Sequence, residues 1–328
     1  MINRLISIGV LSTANIAVRS VIPAILNLSD NFILAGIASR TKDKLTEVCN
    51  TFNTATYVGY DQLIEDQSID AVYIPLPNAL HAEWIEKALL NRKHVIVEKS
   101  LGCSLEEVTR LTDLARAMNL VLFENFQFRF HPQTSLIQNL LNQNTIGEIR
   151  CLRASFGFPP FSDKNNIRYQ ADLGGGALLD AGAYTTKVSQ LFLGLNLKVK
   201  SSTLNAPNNS EVDIWGGAYL QDENTGKFAA LAFGFDHFYE CGIEVWGSMG
   251  KLKTNRLFTA PSNFVPIITV ETSEGEQIIK TEPANHFELM LLHFYKLITA
   301  DKNSEEEHLQ NIDQARLIQE IKDIAYVK

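Results

Sequence analysis

The sequence predicts an α/β protein: a doubly wound parallel sheet comes first, and an α+β domain with a large, mostly antiparallel open sheet follows. Two observations support this fold class. In the first third, short apolar strands alternate with helical spacing and short connections, which is typical of parallel sheets. In the second half, strands follow one another through hairpin turns, which is typical of antiparallel sheets. A chain of 328 residues is long enough for two such domains.

The first predicted strand, 5–11, runs into a turn of small residues and then into helical spacing. A strand, a tight turn and a helix N-terminus are the elements that hold a dinucleotide pyrophosphate. The glycine pattern of such turns is eroded, because its three positions are Ser12, Ala14 and Ala17. We still expect the turn to contact the cofactor, through the following residues: Ser12, Thr13, Ala14, Asn15 and Ile16.

The second predicted strand, 32–38, ends in hydroxyl and basic side chains. An acidic residue normally follows this strand when the cofactor has a free ribose 2′-hydroxyl, whereas a 2′-phosphate favours hydroxyl and guanidinium groups. Ser39, Arg40 and Lys44 therefore favour NADP(H) over NAD(H). The alternative is that Arg40 simply begins a solvated helix face.

Further strands and helices continue the alternation over 45–123. We predict strands at 69–74, 94–98 and 121–123, and helices at 45–52, 82–90 and 105–118. The strand 94–98 ends in Glu98 and Lys99. A lysine beside a reacting carbonyl can stabilise the negative charge that forms on oxygen, an effect of roughly two to three orders of magnitude in rate. An ordinary surface ion pair is the alternative for these two residues.

Three glycines at 174–176 precede a helical run that carries Asp180 and Tyr184. Residues four apart lie on one face of a helix, so the carboxylate and the phenol should point into the same space. A phenol there can donate a proton to an alkoxide, which typically contributes about two to four orders of magnitude in rate. The alternative is a tyrosine and an aspartate that cap and pack the helix.

The remaining part of the second half reads as strands and two closing helices. The strands are predicted at 150–158, 213–220, 227–235, 239–246 and 267–279, the last with a turn at 273–275, and the helices at 285–299 and 305–327. One sheet face should carry helices. The other face, which we expect to hold Phe156, Phe233, Phe235 and Trp246, would need a partner subunit, and this predicts a homodimer or homotetramer through the C-terminal sheet.

Composition limits the classes of partner. The net charge of −8, with both signs interspersed, argues against nucleic acid or an anionic membrane. No apolar run is long enough to span a bilayer, and the N-terminus lacks a signal peptide. The four cysteines, Cys49, Cys103, Cys151 and Cys241, and the scattered histidines have no metal-site spacing. We expect a cytoplasmic protein with reduced thiols and no metal.

Five motifs, in order along the chain, resemble the glucose-fructose oxidoreductase and inositol dehydrogenase (Gfo/Idh/MocA) family. They are the turn 12–17, the Pro-Leu-Pro-Asn to His segment 75–81, Glu98-Lys99, the Arg-Phe-His-Pro segment 129–132, and the Gly-rich segment 174–184. The resemblance covers essentially the whole chain. It implies a Rossmann NADP(H)-binding domain over 1–123 and a substrate-binding and oligomerisation domain over 124–328.

The resemblance also implies roles for individual residues. The family's Glu-Lys-Pro supplies a lysine near the nicotinamide; here the third residue is Ser100. Many members carry histidine where this chain has Tyr184. Further cofactor contacts are expected from Leu76, Pro77, Asn78, His81, Glu98, Lys99 and Arg129, although Arg129 could instead be structural. Substrate contacts are expected from Lys99, Arg168, Asp180 and Tyr184.

Together these features predict an NADP(H)-dependent oxidoreductase that transfers hydride between nicotinamide and a sugar carbonyl or hydroxyl. Segments 233–237, 246–251 and 258–261 are similar to the nucleotide-sugar 3-ketoreductase branch, which favours a nucleotide-linked 3-keto-deoxysugar. Residues 129–132 and Tyr184 are also similar to xylose and trans-dihydrodiol dehydrogenases. A non-catalytic dinucleotide-binding sensor is a further alternative. It would have no need for Lys99, Asp180 and Tyr184 together.

Overall fold

A computed structural model describes residues 4–207, 210–299 and 304–326, with the side chains of residues 47, 49 and 326 excepted. The chain divides into two compact units. One unit contains the described residues up to Asn125 together with those of 287–312, and the other contains those of 126–286 and from Asp313 onward. The predicted second domain included residues 287–312, which the structure groups with the first unit. The last of the boundaries between the two units falls inside the C-terminal helix, between residues 312 and 313.

The first unit is built on a six-stranded parallel sheet with the order β3-β2-β1-β4-β5-β6. Its strands are β1 (Ile6–Leu11), β2 (Phe32–Ser39), β3 (Thr56–Val58), β4 (Ala71–Ile74), β5 (His94–Glu98) and β6 (Leu122–Asn125). Its helices are α1 (Ile22–Asn27), α2 (Lys42–Phe52), α3 (Tyr60–Glu65), α4 (Asn78–Leu90), α5 (Leu105–Met118), α8 (His286–Thr299) and the first part of α9 (Glu305–Tyr326). A π-helical turn at Ala17–Val21 precedes α1, and His286 itself falls in the second unit.

The central strands of this sheet are apolar because both faces are covered. All four residues of β4 are buried, and so are the middle three of β5. The strand order reverses between β1 and β4, and ligands of doubly wound sheets bind at the carboxyl end of such a crevice. The predicted parallel sheet is confirmed. One difference is that α4 begins at Asn78 and not at residue 82, because Pro77 already occupies its N-cap position.

The second unit is built on an eight-stranded sheet with the order β14-β13-β12-β11-β7-β10-β9-β8. Neighbouring strands are antiparallel except β7 and β10. The strands are β7 (Ile149–Gly157), β8 (Leu197–Asn205), β9 (Trp215–Asp222), β10 (Phe228–Gly234), β11 (Glu240–Gly247), β12 (Gly250–Thr254), β13 (Ile267–Thr272) and β14 (Gly275–Lys280). The helices are α6 (Pro132–Asn142), α7 (Ala183–Leu193) and the last part of α9 (Glu305–Tyr326).

Two strands of this sheet were not predicted. In β8 the apolar alternation lasts only from Leu197 to Val199, after which the register shifts and the residues up to Thr203 are all polar. In β12 five residues carry two lysines and a single fully buried leucine, Leu252. Both segments lie away from the sheet centre, where pairing with a neighbour compensates for weak local preference.

The phenylalanines assigned to the open face of the sheet lie on the opposite face, and this prediction is wrong. Phe156, Phe233 and Phe235 are buried, and Phe156 packs edge-on to Tyr184 at 5.2 Å. Trp246 is half exposed. Trp246 pairs with Cys151 of β7, which lies an odd number of residues before Phe156 in that strand. Because side chains alternate between faces along a strand, Trp246 and Phe156 lie on opposite faces of the sheet. The outer face is therefore less apolar than expected.

Among the described residues, the longest apolar helical stretches fall short of what a membrane crossing requires.

His94, at the start of β5, makes folding stability depend on pH. Its Nδ1 accepts the backbone N–H of Val121 at 3.0 Å, and burial lowers its pKa to about 4 from an ordinary value of 6.5. The unfolded chain therefore binds this proton first as the pH falls. We expect the contribution of His94 to be complete above about pH 6.5 and to fall by about 1 to 2 kcal/mol between pH 7 and 5.

Urea unfolding at pH 7 and 5 measures this loss, and His94→Asn provides the comparison because its amide oxygen can accept the same N–H without titrating. The variant should lose less stability on acidification than the unmodified protein. Equal losses for the two proteins would contradict the assignment.

Candidate functional site

The carboxyl edge of the parallel sheet gathers the predicted cofactor residues of the first unit. Ser12 follows β1, Arg40 follows β2, Asn78 begins the helix after β4, and Lys99 follows β5. These strands are neighbours in a parallel sheet, so their carboxyl ends lie along one edge.

The turn after β1 has Ser12 where the usual pattern has its first glycine, and the backbone still adopts the conformation that glycine would allow. Ser12 has a φ of 146°, a region that favours glycine, and its Oγ accepts the backbone N–H of Ala14 at 3.1 Å. Thr13 is half-buried and Asn15 is exposed. Ile16 leads into a helical turn with no acidic residue, so nothing there opposes an anion.

The end of β2 presents basic groups. Ser39 is buried, whereas Arg40 and Lys44 are exposed. No carboxylate of the described part of the chain forms an ion pair with Arg40. A guanidinium is suited to bind an anion such as a ribose 2′-phosphate. These residues fit an NADP(H) cofactor.

His81 has a structural task. It is fully buried, and its two ring nitrogens face the carbonyl oxygens of Ser100 and Leu76, each at 2.8 Å. Burial lowers the pKa of His81 to about 4, although both carbonyls favour the protonated ring. No ring nitrogen remains for a direct cofactor contact. We therefore revise its predicted role: His81 holds together the loops that carry Pro77, Asn78 and Lys99.

The exit of β5 is fixed by hydrogen bonds around Glu98. Its Oε1 accepts the hydroxyl of Tyr73 at 2.6 Å and the side-chain amide of Asn125 at 2.7 Å. Burial raises the pKa of Glu98, and these hydrogen bonds and Lys99 oppose that rise. Glu98 thus joins the ends of β4, β5 and β6. Lys99 is half-buried beside it, and the peptide bond from Lys99 to Ser100 is cis.

In the second unit, the three glycines let the chain pack tightly before the helix. A Cβ on Gly175 would lie 2.6 Å from the carbonyl oxygen of Arg168. Gly176 has a φ of 110°, and a Cβ there would lie 2.4 Å from Oδ1 of Asp213. The other carboxylate oxygen of Asp213 accepts the backbone N–H of Leu178 at 2.7 Å. Glycine is therefore needed where the chain turns into the helix.

The segment after the glycines forms a π-helical turn, Leu178–Gly182, before α7. Asp180 lies on this turn and pairs with Arg168, with Nε and Oδ2 at 2.6 Å. The Arg168 guanidinium also lies over the ring of Phe161, at 4.9 Å from its centroid. Burial lowers the pKa of Arg168, but Asp180 and then Tyr184 raise it above its usual value. Three predicted substrate residues, Arg168, Asp180 and Tyr184, thus interact within one unit.

Tyr184 sits in an aromatic box. Its ring lies 5.2 to 5.9 Å from those of four phenylalanines, namely Phe126, Phe128, Phe156 and Phe258. The side-chain amide of Gln127, which is buried, lies 3.5 Å from the Tyr184 hydroxyl and donates to the carbonyl of Phe258 at 3.3 Å. The box holds the phenol in place. Sequence reasoning missed Gln127, which has no motif of its own.

Arg129 also belongs to the second unit. It lies on a 3-10 turn, Gln127–Phe130, with its guanidinium 5.2 Å from the ring centroid of Phe130. Its contact with a cofactor stays a prediction. Among the described residues, no cluster of histidine, cysteine, aspartate and glutamate is arranged to hold a metal ion.

Comparisons with known proteins agree over both units. Residues 6–126 match the model of an oxidoreductase family with an NAD-binding Rossmann fold, GFO_IDH_MocA, and residues 135–253 match the GFO/IDH/MocA C-terminal domain. A dTDP-3,4-didehydro-2,6-dideoxy-alpha-D-glucose 3-reductase from Streptomyces violaceoruber is 41% identical over 274 residues, 84% of this chain and 80% of that protein. A D-xylose 1-dehydrogenase (NADP(+)) from Haloferax volcanii is 30% identical and covers 95% of both chains.

Among solved structures, a 3-ketoreductase from Actinomadura kijaniata in complex with NADP and TDP-benzene is 36% identical, with a TM-score of 0.93 and 98% of both chains covered. Structures of the same enzyme also include a variant with tyrosine replaced by phenylalanine and variants with lysine replaced by alanine or glutamate.

Proposed function

The chain belongs to the Gfo/Idh/MocA oxidoreductase family, and from this premise we propose that it is an NADP(H)-dependent reductase of a nucleotide-linked keto-deoxysugar. The observation that carries this proposal is the similarity, over nearly the whole chain, to a 3-ketoreductase solved with NADP and TDP-benzene. The relative from Streptomyces violaceoruber acts, by its name, on a dTDP-linked keto sugar. We take a dTDP-linked 3-keto sugar as the substrate class.

The first unit provides the groups for NADP(H). When bound, the nicotinamide supplies the hydride. Arg40 and Lys44 bind the 2′-phosphate, and the turn from Ser12 to Ile16 holds the pyrophosphate at the start of a helix that has no acidic residue in its first turn. Pro77 and Asn78 line the nicotinamide side.

We assign a role to one side chain of each unit. Lys99 donates a hydrogen bond to the ketone oxygen and stabilises the negative charge that hydride transfer creates. Tyr184 donates the proton that completes the alcohol. Asp180, held by Arg168, orients the sugar hydroxyls.

A spectrophotometric screen at the absorbance of reduced nicotinamide tests this function. NADPH and NADH are each combined with dTDP-linked 3-keto sugars and with the corresponding free sugars. We expect turnover with NADPH and the nucleotide-linked ketone, and much less with either partner replaced. Tight NADPH binding without turnover of any substrate would favour the sensor alternative.

A second candidate function is NADP-dependent oxidation of free xylose or of a trans-dihydrodiol. The similarity to the xylose dehydrogenase from Haloferax volcanii, at 30% identity over 95% of both chains, supports this second candidate. The same screen run with NADP(+) and xylose decides between the two, because a free sugar oxidised faster than the nucleotide-linked ketone is reduced would favour this candidate.

We also propose a homodimer or homotetramer formed through the outer face of the C-terminal sheet, where Trp246 and Ile278 are at least half exposed. Light scattering should give a mass of two or four chains, and Trp246→Glu should lower it; a monomeric mass for the unmodified protein would contradict the proposal.

The described cysteines, Cys103, Cys151 and Cys241, are free, which favours the expected cytoplasmic location.

A further inference from the structure

The guanidinium of Arg168 has more donor groups than its one ion pair uses. Within the described part of the chain it makes a single hydrogen bond, from Nε to Oδ2 of Asp180 at 2.6 Å. A guanidinium also carries N–H donors on Nη1 and Nη2. The side chain of Arg168 is 36% exposed, so protein does not enclose these groups. The edge formed by the two Nη atoms is therefore open to an external acceptor.

The backbone of Arg168 is fixed on both sides. Its N–H donates to Oδ1 of Asn166 at 3.1 Å, and its carbonyl accepts the N–H of Gly176 at 2.9 Å. These bonds join the 3-10 turn Ile167–Tyr169 to the glycines that precede Asp180. The side chain at position 168 thus starts from a fixed point.

The flat face of the guanidinium is covered by Phe161, whose ring centroid lies 4.9 Å from Cζ of Arg168. The Phe161 ring is itself held by the rings of Phe158 and Phe235, at 5.3 and 5.8 Å. The backbone N–H of Phe161 donates to the hydroxyl of Tyr169 at 3.0 Å. With one face covered and Nε bound, the guanidinium has its Nη edge left for a ligand. A fork held in this way loses little freedom when it binds an anion.

We propose that the Nη edge of Arg168 binds the diphosphate of the nucleotide-linked sugar and so distinguishes this substrate from a free sugar. This inference rests on the nucleotide-linked substrate of the proposed function. Two parallel N–H groups match two phosphate oxygens, and such charge-assisted pairs of bonds are strong and specific in geometry. Asp180 already balances the charge of Arg168. The recognition therefore depends on the fork and not on net charge alone.

The position of this fork suits a nucleotide-linked sugar. The diphosphate of such a substrate is joined directly to the sugar ring. A phosphate held by Arg168 would therefore bring the ring next to Asp180, to which we assign the orientation of the sugar hydroxyls. One ion pair would then contact both parts of the substrate, the arginine its diphosphate and the aspartate its ring.

Arg168→Gln is the direct test. Nε2 of glutamine is as many bonds from the backbone as Nε of arginine, so the variant can keep the bond to Asp180 while it loses the Nη groups. Calorimetry measures the binding of dTDP to the full chain with saturating NADP(+), which keeps dTDP out of the cofactor's own phosphate site. We expect dTDP to bind about 10- to 50-fold more weakly to the variant. Its affinity for NADP(+) and its melting temperature verify that it is folded.

Steady-state kinetics test the effect on substrate choice. We expect Arg168→Gln to lower kcat/KM about 10-fold or more for the dTDP-linked ketone and by less than about threefold for the corresponding free sugar. The reason is that the free sugar has no diphosphate to lose contact with. A residue that only held Asp180 in place would affect both substrates equally.

Two further variants sharpen the result. Arg150→Gln is the matched control: Arg150 also pairs with one carboxylate, that of Glu148 at 2.9 Å, but it lies at the opposite end of β7 from the segment that carries Arg168. It should leave the affinity for dTDP unchanged. Arg168→Lys keeps the positive charge but offers a single ammonium, which Asp180 occupies. It should bind dTDP at most about threefold more tightly than Arg168→Gln.

Unchanged dTDP binding in Arg168→Gln would overturn the inference, and so would full recovery of that binding in Arg168→Lys. Both outcomes leave the proposed function standing, because the unmodified chain would still bind dTDP. If the unmodified chain with NADP(+) does not bind dTDP, the nucleotide-linked substrate is itself wrong, and this inference is wrong with it.

Discussion

Replacement of Lys99 by alanine is expected to lower kcat about 100- to 1,000-fold for the nucleotide-linked ketone, with the dissociation constant of NADPH changed by less than about threefold. Lys99 is half-buried at the end of β5, beside Glu98, whose carboxylate is already bound by Tyr73 and Asn125. Removing the ammonium therefore leaves the strand ends joined. It takes away a charge that acts mainly when negative charge forms on the substrate oxygen. Steady-state kinetics and NADPH titration measure the two effects separately.

Lys296→Ala is the matched control for this change, because Lys296 is an exposed lysine of α8 in the same unit. It should leave both constants unaltered. If Lys99→Ala keeps its turnover and loses only NADPH affinity, Lys99 is a cofactor-binding residue and the role that we assign to it is wrong.

Much of the first unit could be predicted because its signals are local. An apolar run followed by Ser12, or by Glu98 and Lys99, shows where a strand ends, and in a parallel sheet all such ends lie at one edge. His81 illustrates the limit of this reasoning. Its position in the chain places it near the cofactor, but both its ring nitrogens are used by carbonyl groups 5 and 19 residues away, and only the folded chain reveals this.

The second unit was harder to predict for two physical reasons. Side chains alternate between the faces of a sheet, so a predicted strand such as 227–235 shows that Phe233 and Phe235 share a face but not which face that is. Contacts between distant residues have no periodicity at all. Gln127 lies 57 residues before Tyr184, so their partnership does not appear in a spacing pattern.

Tyr184→Phe is expected to lower kcat about 100-fold or more, within the range typical of lost general acid catalysis, with a smaller effect on KM. Four phenylalanine rings surround the Tyr184 ring, so the variant ring should keep its packing and its stability. The lost group is the hydroxyl that faces Gln127 and interacts with Arg168. A phenolate left after proton donation would be stabilised by the amide and the guanidinium, which favours this tyrosine as the donor.

Tyr219→Phe makes the same chemical change on the outer face of the same sheet, where Tyr219 packs against Phe228 at 5.1 Å, and it should leave kcat within about twofold. Comparing the two variants separates loss of a proton donor from the general effect of losing a phenol. The solvent deuterium isotope effect on kcat adds a second measurement, because a step that transfers a proton from Tyr184 should be slower in deuterium oxide. Full activity of Tyr184→Phe would mean that the proton reaches the alkoxide from another group.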